Sequence, residues 1–489
     1  MCDIESYIYL PLLEEMNYIP KEKYTRAPEI LAYSRRIAER YRLYDNACLQ
    51  TQVTEIRWNE DADRWIVSTD RGDRVQAQFL VMSNGPLSKP KLPGIPGIAT
   101  FKGHTFHTSR WDYAYTGGDA DGNLTSLRDK RVAIIGTGAT AIQCVPHLGE
   151  TAEKLYVFQR TPSSVDVRGN RPTDPEWAAS LKPGWQQARM DNFNTLVTGG
   201  YQAEDLVGDG WTEIYRNLAG IIPPDGYATM SKGEIARLTE LADFRKMEGV
   251  RARVDALVKD PQTAEALKPY YRQFCKRPCY HDEYLATFNR ANVALVDTLG
   301  QGVERITETG LVADGQEYAV DCIIFATGFE VGTGYTRNAG YEVFGRGGIA
   351  LSAKWVDGPI TFHGVHSSGF PNCYFMGMVQ SALAANFPHL LHEQSQQIAH
   401  TVQAAVARGA KVVEATPEAE AEWCATMKSK ARLGLRFFRE CTPSYYNNEG
   451  SPDVKNGFLS NVYGGGAAEF FEILKGWRSE GELRGLKFN

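Results

Sequence analysis

The sequence predicts an α/β fold made of two or three domains, and three observations support this prediction. The chain has 489 residues, more than one ordinary domain contains. An apolar strand, a glycine-rich turn and a helical pattern follow one another in KRVAIIGTGATAIQCVPHLG, and a second apolar strand follows in KLYVFQRTP. Strand character returns later, in NVALVD and VDCIIFATGFE. Buried strands that alternate with helices are typical of α/β domains.

The segment before the glycine turn predicts a helix followed by antiparallel strands. APEILAYSRRIAERYRL has apolar residues at helical spacing, with Leu31, Ile37 and Tyr41 near one face. VTEIRW, RWIVSTD and VQAQFLVMSNG then alternate with a period of two, which predicts a β-meander. The Pro- and Gly-rich GPLSKPKLPGIPG that follows is interpreted as a boundary or crossing segment.

The second half of the chain predicts mainly helices. Residues 168–273 are charged, rich in Trp and helical by pattern, so a helical insertion is predicted there. The tail from about Phe387 is mostly helical. YGGGAAEFF near its end is interpreted as a plain helix entry, because no apolar strand precedes it.

The composition is that of a globular protein and excludes several classes. Hydrophobic residues make up 43% of the chain, and the net charge is −6 without a basic block, so no nucleic-acid partner is expected. No window approaches roughly 18 uninterrupted apolar residues, so no transmembrane segment is predicted. The acidic start MCDIESYIYLPLLEE does not resemble a secretory signal.

The cysteines predict free thiols. There are nine, and the closest pair, Cys275 and Cys279, has no second pair nearby. A disulfide framework or a zinc site is therefore not expected, and a reducing, cytoplasmic location is predicted.

The glycine turn predicts a dinucleotide site. Gly136 permits the tight turn, Gly138 lets backbone N–H groups approach a pyrophosphate, and the small Ala141 allows the helix to pack closely on the strand. The alternative is a glycine turn that binds nothing, and the strand before it and the helix after it favour the dinucleotide.

The end of the next strand indicates which dinucleotide is bound. An NAD site would place Asp or Glu there to bind the ribose 2′-hydroxyl, whereas this strand ends in Arg160 and Thr161. An arginine with a hydroxyl suits a 2′-phosphate, so NADPH is favoured. The alternative is a surface arginine that follows a strand.

The stretch FKGHTFHTSRWD resembles the F-x-G-x-x-x-H-x-x-x-W-P/D fingerprint of type I Baeyer–Villiger monooxygenases. Its fixed positions are filled by Phe101, Gly103, His107, Trp111 and Asp112. GTGATA, VFQRTP, CKRPCYHDEYLATFNRANVALVDT and ATGF also match the family, in its order, so the resemblance covers essentially the whole chain.

The resemblance also implies a role for the fingerprint stretch. His104 and His107 are three residues apart in what is predicted to be a loop, and no further ligands converge on them, so no metal site is expected. In the family this segment joins two domains, which implies that His107 is a hydrogen-bonding pivot between them. On the residues alone, a packed linker histidine is the alternative.

The resemblance implies a flavoprotein with two dinucleotide-binding domains. An FAD-binding domain is expected over residues 1–125 and continues over residues 321–489. A Rossmann-like NADP domain is expected over residues 126–320, with the helical insertion at about 168–273.

The implied reaction uses FAD, NADPH and O2. A C4a-peroxyflavin would insert one oxygen atom beside a ketone carbonyl to give an ester or lactone. The details of DIESYIYLPLLEE and HTSRWDYAYTGG resemble the branch that acts on macrocyclic or polycyclic ketones, so a bulky or cyclic ketone is expected. The oligomeric state stays open.

The resemblance also assigns residues to sites. Arg277 would be the catalytic arginine and Asp3 its partner, although a surface arginine and a helix-cap aspartate are the alternatives. Lys276 would contact the 2′-phosphate. FAD contacts are expected at Tyr9, Val53 and Asn386, and NADPH contacts along the glycine turn and the helix after it, which includes Thr137, Ala139, Thr140 and Gln143.

Two other functions remain open. The family has a first glycine turn for FAD before the segment that matches CDIES, and we expect at least about 30 residues of such a unit to be missing here. A truncated chain that binds NADPH without turnover is therefore one alternative. The other is a flavin monooxygenase that oxidises sulfur or nitrogen, which Trp111, Asp112 and Arg277 disfavour. A disulfide reductase is disfavoured because no redox-active cysteine pair follows a first glycine turn.

Overall fold

The structure is a computed structural model that describes residues 3–198, 200–219, 221–222, 229–430, 435–451 and 461–489. Its α-helices are α1 Ser6–Tyr9, α2 Ala27–Arg40, α3 Tyr113–Thr116, α4 Ala139–Thr151, α5 Pro175–Ser180, α6 Trp185–Val197, α7 Gly210–Ala219, α8 Lys232–Leu257, α9 Pro261–Leu267, α10 Tyr284–Thr287, α11 Tyr335–Ala339, α12 Leu351–Lys354, α13 Phe387–Ala407, α14 Pro417–Ser429, α15 Leu435–Arg439 and α16 Ala467–Glu480. Short 3₁₀ helices lie at Leu43–Asn46, Thr108–Arg110, Thr125–Leu127, Gln273–Cys275, Arg346–Gly348 and Tyr445–Asn447.

The strands of the described residues form several separate sheets. They are β1 Val53–Asn59, β2 Arg64–Thr69, β3 Arg74–Ala77, β4 Leu80–Met82, β5 His104–His107, β6 Arg131–Ile135, β7 Lys154–Gln159, β8 Val165–Asp166, β9 Cys279–Tyr280, β10 Val293–Asp297, β11 Arg305–Ile306, β12 Gly310–Ala313, β13 Gln316–Ala319, β14 Cys322–Phe325, β15 Glu342–Phe344, β16 Cys373–Phe375, β17 Val413–Ala415 and β18 Leu486–Phe488.

A five-stranded parallel sheet confirms the predicted α/β fold. Within the described part of the chain its strand order is β10-β7-β6-β14-β5. The apolar runs VAII and CIIF form β6 and β14, and both are buried on two faces, as continuous apolar strands in parallel sheets are. Alternate residues of these strands enter two different cores, one of which also contains the buried face of α4. The carboxyl ends of all five strands therefore meet at one edge.

The fingerprint stretch is not a loop, which corrects the sequence interpretation. His104–His107 is the edge strand β5, and it pairs in parallel with β14. Gly103 allows the preceding chain to approach closely, because a Cβ there would lie 2.5 Å from the Phe101 ring and 2.6 Å from the carbonyl oxygen of Asp321. A four-residue strand with two histidines has too little pattern to be predicted as a strand.

The predicted β-meander is confirmed for three strands and wrong for the end of its last segment. β1, β2 and β3 are antiparallel neighbours. A bend separates β3 from Leu80–Met82, which leaves the meander and pairs in parallel with β16. β15 completes the first sheet by pairing in parallel with β1. Both additional pairings join residues far apart in the sequence.

The predicted helix after Arg26 is confirmed as α2, but its buried face differs from the prediction. Leu31 is 53% exposed and Tyr41 is 46% exposed, whereas Tyr33 is buried. Tyr33 packs with Ile30 and Ile37 against the segment that follows α1. These three residues follow a spacing of three and four, which places them on one helical face.

A disulfide corrects the expectation of free thiols. Cys275 and Cys441 are bonded across a sequence separation of 166 residues. Six other described cysteines are free, and Cys2 lies outside the described residues. Spacing in the sequence does not reveal that these two cysteines are adjacent in space.

The region predicted to be a helical insertion contains α5 to α9. Residues 199, 220 and 223–228 of this region lie outside the described residues. The helical tail contains α13 to α16, and YGGGAAEFF leads into α16 as predicted. The proposed domain boundaries remain predictions. None of the helices in the described ranges combines the length and the apolar character needed to cross a bilayer.

Candidate active site

The glycine turn lies at the carboxyl edge of the parallel sheet. Gly136 follows β6 with a φ of +111°, a conformation that favours glycine. A Cβ on Gly136 would lie 2.6 Å from the carbonyl oxygen of Ala326, the residue after β14. The turn is therefore held tightly between β6 and β14. Strand order reverses direction at this point, which is where open α/β sheets bind their ligands.

The N-terminus of α4 is open to a ligand. Gly138 is its N-cap residue, and no side chain caps the first turn. A Cβ on Gly138 would meet nothing within 4 Å, and Thr140 in the first turn is exposed. Ala141 is fully buried, as the packing of helix on strand requires. Free backbone N–H groups beside open space fit the pyrophosphate of a dinucleotide.

Side chains around the turn hold it in place. Thr137 donates from Oγ1 to the carbonyl of Thr161 at 3.0 Å, which ties the turn to the end of β7. Gln143 donates from Nε2 to the carbonyl of Ala139 at 3.0 Å. These contacts stabilise the predicted nucleotide loop before any ligand is bound.

The structure brings Arg160, Thr161 and Lys276 together. Lys276 Nζ donates to Thr161 Oγ1 at 2.8 Å and to the carbonyls of Thr161 and Pro162 at 3.2 Å. Burial lowers the pKa of the Lys276 ammonium group to about 8, and the charge of Arg160 acts in the same direction. Arg160 is half-exposed and pairs with Glu449 at 2.6 Å. The oxygens that accept these hydrogen bonds from Lys276 are neutral, so a phosphate group bound here would give its ammonium group an anionic partner.

The predicted catalytic pair is formed. Arg277 Nη2 donates to Asp3 Oδ2 at 2.6 Å, although the two residues are 274 positions apart. Burial opposes the charge of the guanidinium, but Asp3 and weaker interactions with neighbouring side chains together outweigh it, so the pKa of Arg277 lies above its ordinary value. The side chain of Arg277 is still 34% exposed, so a ligand can reach it.

Sequence reasoning missed three aromatic residues beside this pair. The guanidinium of Arg277 lies over the ring of Trp211, 5.9 Å from its centroid. Tyr445 and Tyr446 interact electrostatically with Arg277, and their own rings are 4.7 Å apart. Burial raises the pKa of both hydroxyls, so they are neutral donors at neutral pH. Nothing in the local sequence indicates that these loop and helix residues reach Arg277.

A buried charged group lies two residues after Asp3. Arg189 donates to both carboxylate oxygens of Glu5, at 2.8 and 2.9 Å. Burial raises the pKa of Glu5 to about 7 and that of Asp209 to about 6, and the charge of Lys23 opposes both shifts. Asp209 in turn accepts from the backbone N–H of Trp211 at 2.9 Å. Asp209 therefore holds the backbone at the start of α7, the helix that carries Trp211.

The buried Asn386 marks a second ligand position. It precedes α13, and its Nδ2 donates to the carbonyl of Ile8 at 2.8 Å. Among the described residues no donor reaches its buried Oδ1, which fits an N–H group such as that of a flavin ring. Tyr9 and Ala385, the residue before Asn386, pack against the same buried core. Val53, in contrast, starts β1 and packs in a different core, so the structure does not bring it to Asn386.

His107 ends β5 at the same edge of the sheet. Its Nδ1 is 2.8 Å from Ser109 Oγ, and its buried Nε2 has no hydrogen-bond partner among the described residues. Burial lowers the pKa of His107, an effect opposed by the backbone of Gly328, so the imidazole is neutral at neutral pH. Its ring contacts Phe329, with centroids 5.7 Å apart. His107 therefore links the fingerprint to the turn after β14.

The other fingerprint residues are structural in their contacts. Asp112 accepts from the N–H of Tyr115 at 3.1 Å, which caps α3, and it lies 2.9 Å from His104 Nε2. Trp111 donates to Thr116 Oγ1 at 3.0 Å and packs on the core. No group of three or more metal-binding side chains occurs in the described residues.

Comparison with known proteins gives consistent matches. Residues 11–197 match the pyridine nucleotide-disulphide oxidoreductase family. The chain is 55% identical over 489 residues to neopentalenolactone D synthase of Streptomyces avermitilis, covering 99% of this chain and 82% of that protein. It is 50% identical over 488 residues to Baeyer-Villiger monooxygenase ATR8 of Stachybotrys chlorohalonatus, covering 100% of this chain and 78% of that protein.

A solved structure has the same fold. The polycyclic ketone monooxygenase from the thermophilic fungus Thermothelomyces thermophila superposes with a TM-score of 0.89 at 40% sequence identity. The match covers 100% of this chain and 81% of that one.

Proposed function

This chain belongs to the Baeyer–Villiger monooxygenases, and we propose that Asp3, Arg277 and the carboxyl edge of the parallel sheet form its active site. The enzyme uses FAD and NADPH and oxidises a ketone to an ester or lactone. In the balanced reaction a ketone, O2, NADPH and a proton give the ester, NADP⁺ and water.

The observation that supports this site best is the Asp3–Arg277 ion pair beside Lys276. Bound NADPH and FAD supply reducing equivalents and oxygen activation. Arg277 then stabilises the negative charge that develops on the substrate oxygen as the new C–O bond forms at the carbonyl carbon. Asp3 and Trp211 hold the guanidinium in position. Because the charge of Arg277 is permanent, its role does not depend on a proton transfer.

The cofactor contacts of the proposal divide between two positions. Gly136, Gly138 and the N-terminus of α4 would bind the pyrophosphate of NADPH, and Arg160, Thr161 and Lys276 its 2′-phosphate. Tyr9 and Asn386 would contact FAD. Val53 remains a predicted FAD contact that none of these distances supports.

We propose a bulky or cyclic ketone as the substrate. The names of the relatives support this, because one is a polycyclic ketone monooxygenase and another a lactone-forming synthase. We also propose a cytoplasmic location, which the free cysteines among the described residues support and the Cys275–Cys441 disulfide does not.

The test is product analysis with labelled oxygen. The purified protein, supplied with FAD, NADPH and ¹⁸O₂, is expected to convert cyclic ketones to lactones that contain one ¹⁸O atom. Arg277→Ala should lower the formation of this product about 100-fold. Oxidation of sulfides or amines without any lactone, over a panel that includes polycyclic ketones, would instead support the alternative of a sulfur- or nitrogen-oxidising enzyme.

A further inference from the structure

The side chain of Glu449 forms an ion pair with Arg160, the residue predicted to bind the 2′-phosphate. Glu449 Oε2 accepts from Arg160 Nη2 at 2.6 Å, and Glu449 Oε1 lies 3.4 Å from Lys91 Nζ. Burial alone would raise the pKa of Glu449, but the hydrogen bond from Arg160 and the two positive charges bring it below its ordinary value. The carboxylate is therefore ionised at neutral pH and competes with any other anion for Arg160.

The chain holds Glu449 in this place. Asn447 is buried, and its Oδ1 accepts from the N–H groups of Ser444 and Gly450 at 2.8 and 3.1 Å. Ser444 Oγ donates to the carbonyl of Cys275 at 2.8 Å. Glu449 itself has a φ of +58°, which a side chain adopts at a cost.

These anchors place the segment from Cys441 to Gly450, called the acidic turn below, against the loop that carries Lys276 and Arg277. Cys275, which the disulfide joins to Cys441, immediately precedes Lys276. The position of Glu449 is thus coupled to both proposed sites.

We propose that Glu449 is a specificity-determining residue of the cofactor site, whose carboxylate is exchanged for the 2′-phosphate when NADPH binds. The inference rests on the proposed function, because it takes Arg160 as the 2′-phosphate contact. A phosphate carries more charge than a carboxylate and binds Arg with two parallel hydrogen bonds, so it displaces the carboxylate. The exchange requires access, which the side chains provide: Arg160 is 44% exposed and Glu449 35%.

The exchange has a defined effect on affinity. Glu449 must give up Arg160 before the 2′-phosphate of NADP⁺ can bind there, so its carboxylate weakens NADP⁺ binding and has no such effect on NAD⁺. Removing its charge should strengthen NADP⁺ binding about fivefold, the size of a partly exposed ion pair, and change NAD⁺ binding less than about twofold.

The experiment is calorimetric titration of the purified protein with NADP⁺ and with NAD⁺. Glu449→Gln is expected to raise the ratio of NADP⁺ to NAD⁺ affinity about fivefold. Glu440→Gln is the matched control, because Glu440 pairs with Arg272 at 3.1 Å beside the acidic turn and its loss changes the net charge equally. This control should leave the ratio unchanged. In addition, NADP⁺ but not NAD⁺ should increase amide hydrogen exchange in the acidic turn.

Two further variants separate the possible failures. If Arg160→Ala lowers the affinity ratio but Glu449→Gln leaves it unchanged or lowers it, the exchange is refuted while the cofactor site stands. If Arg160→Ala leaves the ratio unchanged, Arg160 does not bind the 2′-phosphate, and the proposed exchange is refuted as well. In the double variant Arg160→Ala, Glu449→Gln the second substitution should lose its effect, and a full fivefold gain there would also refute the exchange.

Discussion

Replacement of Arg277 by alanine tests the proposed chemistry most directly. The substitution removes a permanent positive charge and leaves the Asp3 carboxylate, which is 17% exposed, without its partner at 2.6 Å. Loss of a positioned donor to a developing oxyanion costs roughly 100- to 1,000-fold in rate, or about 3–4 kcal/mol. Since the Arg277 side chain is one-third exposed and partly screened by solvent, we expect the lower end, about 100-fold.

Two further variants provide a partial perturbation of the same ion pair and a matched control. Asp3→Asn keeps the guanidinium but removes the negative charge of its hydrogen-bond acceptor, so a smaller loss of about tenfold is expected. Arg131→Ala is the matched control. Arg131 pairs with Asp321 at 3.0 Å at the opposite, amino end of the same sheet, with similar exposure. It should leave the rate unchanged.

The assay is initial-rate lactone formation, followed by gas chromatography with flavin content measured in parallel. Arg277→Ala should bind flavin as the wild type does and still consume NADPH, while lactone formation falls. The reasoning is refuted if Arg277→Ala retains lactone formation within about tenfold of the wild-type rate, or if Arg131→Ala loses as much.

Three further predictions follow from the cofactor site and the cysteines. Burial lowers the pKa of Lys276 to about 8, and a bound 2′-phosphate favours the charged form of this side chain. NADP⁺ binding above pH 8 should therefore take up a proton and weaken as the pH rises. Calorimetry in two buffers measures the proton uptake, and NAD⁺ should show none. Gly136→Ala should lower stability by about 1–3 kcal/mol, because φ is +111° and the new Cβ would lie 2.6 Å from a carbonyl oxygen, whereas Gly138→Ala, whose Cβ meets nothing, should leave the melting temperature nearly unchanged; equal melting temperatures for the two variants would contradict the described turn. Two of the nine cysteines, Cys275 and Cys441, are joined, so the denatured, unreduced protein should titrate seven thiols, and nine would exclude the disulfide.

The features that could be predicted from the sequence are those with a local cause. The turn needs a positive φ at Gly136 and a small residue at Ala141, and the sequence GTGATA shows both. The apolar runs of β6 and β14 similarly identify strands buried on both faces. The fold class and the family followed from these segments and from the fingerprint.

The features that could not be predicted depend on contacts between distant segments. Trp211 reaches Arg277 from α7, and Tyr445 and Tyr446 reach it from a distant 3₁₀ helix. Nothing near Glu449 indicates that it meets Arg160, 289 positions away. The bond between Cys275 and Cys441 has the same cause. Local patterns determine elements, whereas the chemistry of this site arises from how the elements are brought together.

The parallel pairing of β5 with β14 gives the fingerprint spacing a mechanical meaning. His104 stands opposite Cys322, and His107 stands opposite Phe325. Each residue of a strand advances about 3.3 Å and changes face, so the number of residues between Gly103 and His107 determines where the imidazole lies along the strand and on which face. One inserted residue would turn Phe106 away from the core that it shares with Ile324 and would carry the imidazole beyond the turn after β14. The spacing of the motif thus places His107 beside the end of β14.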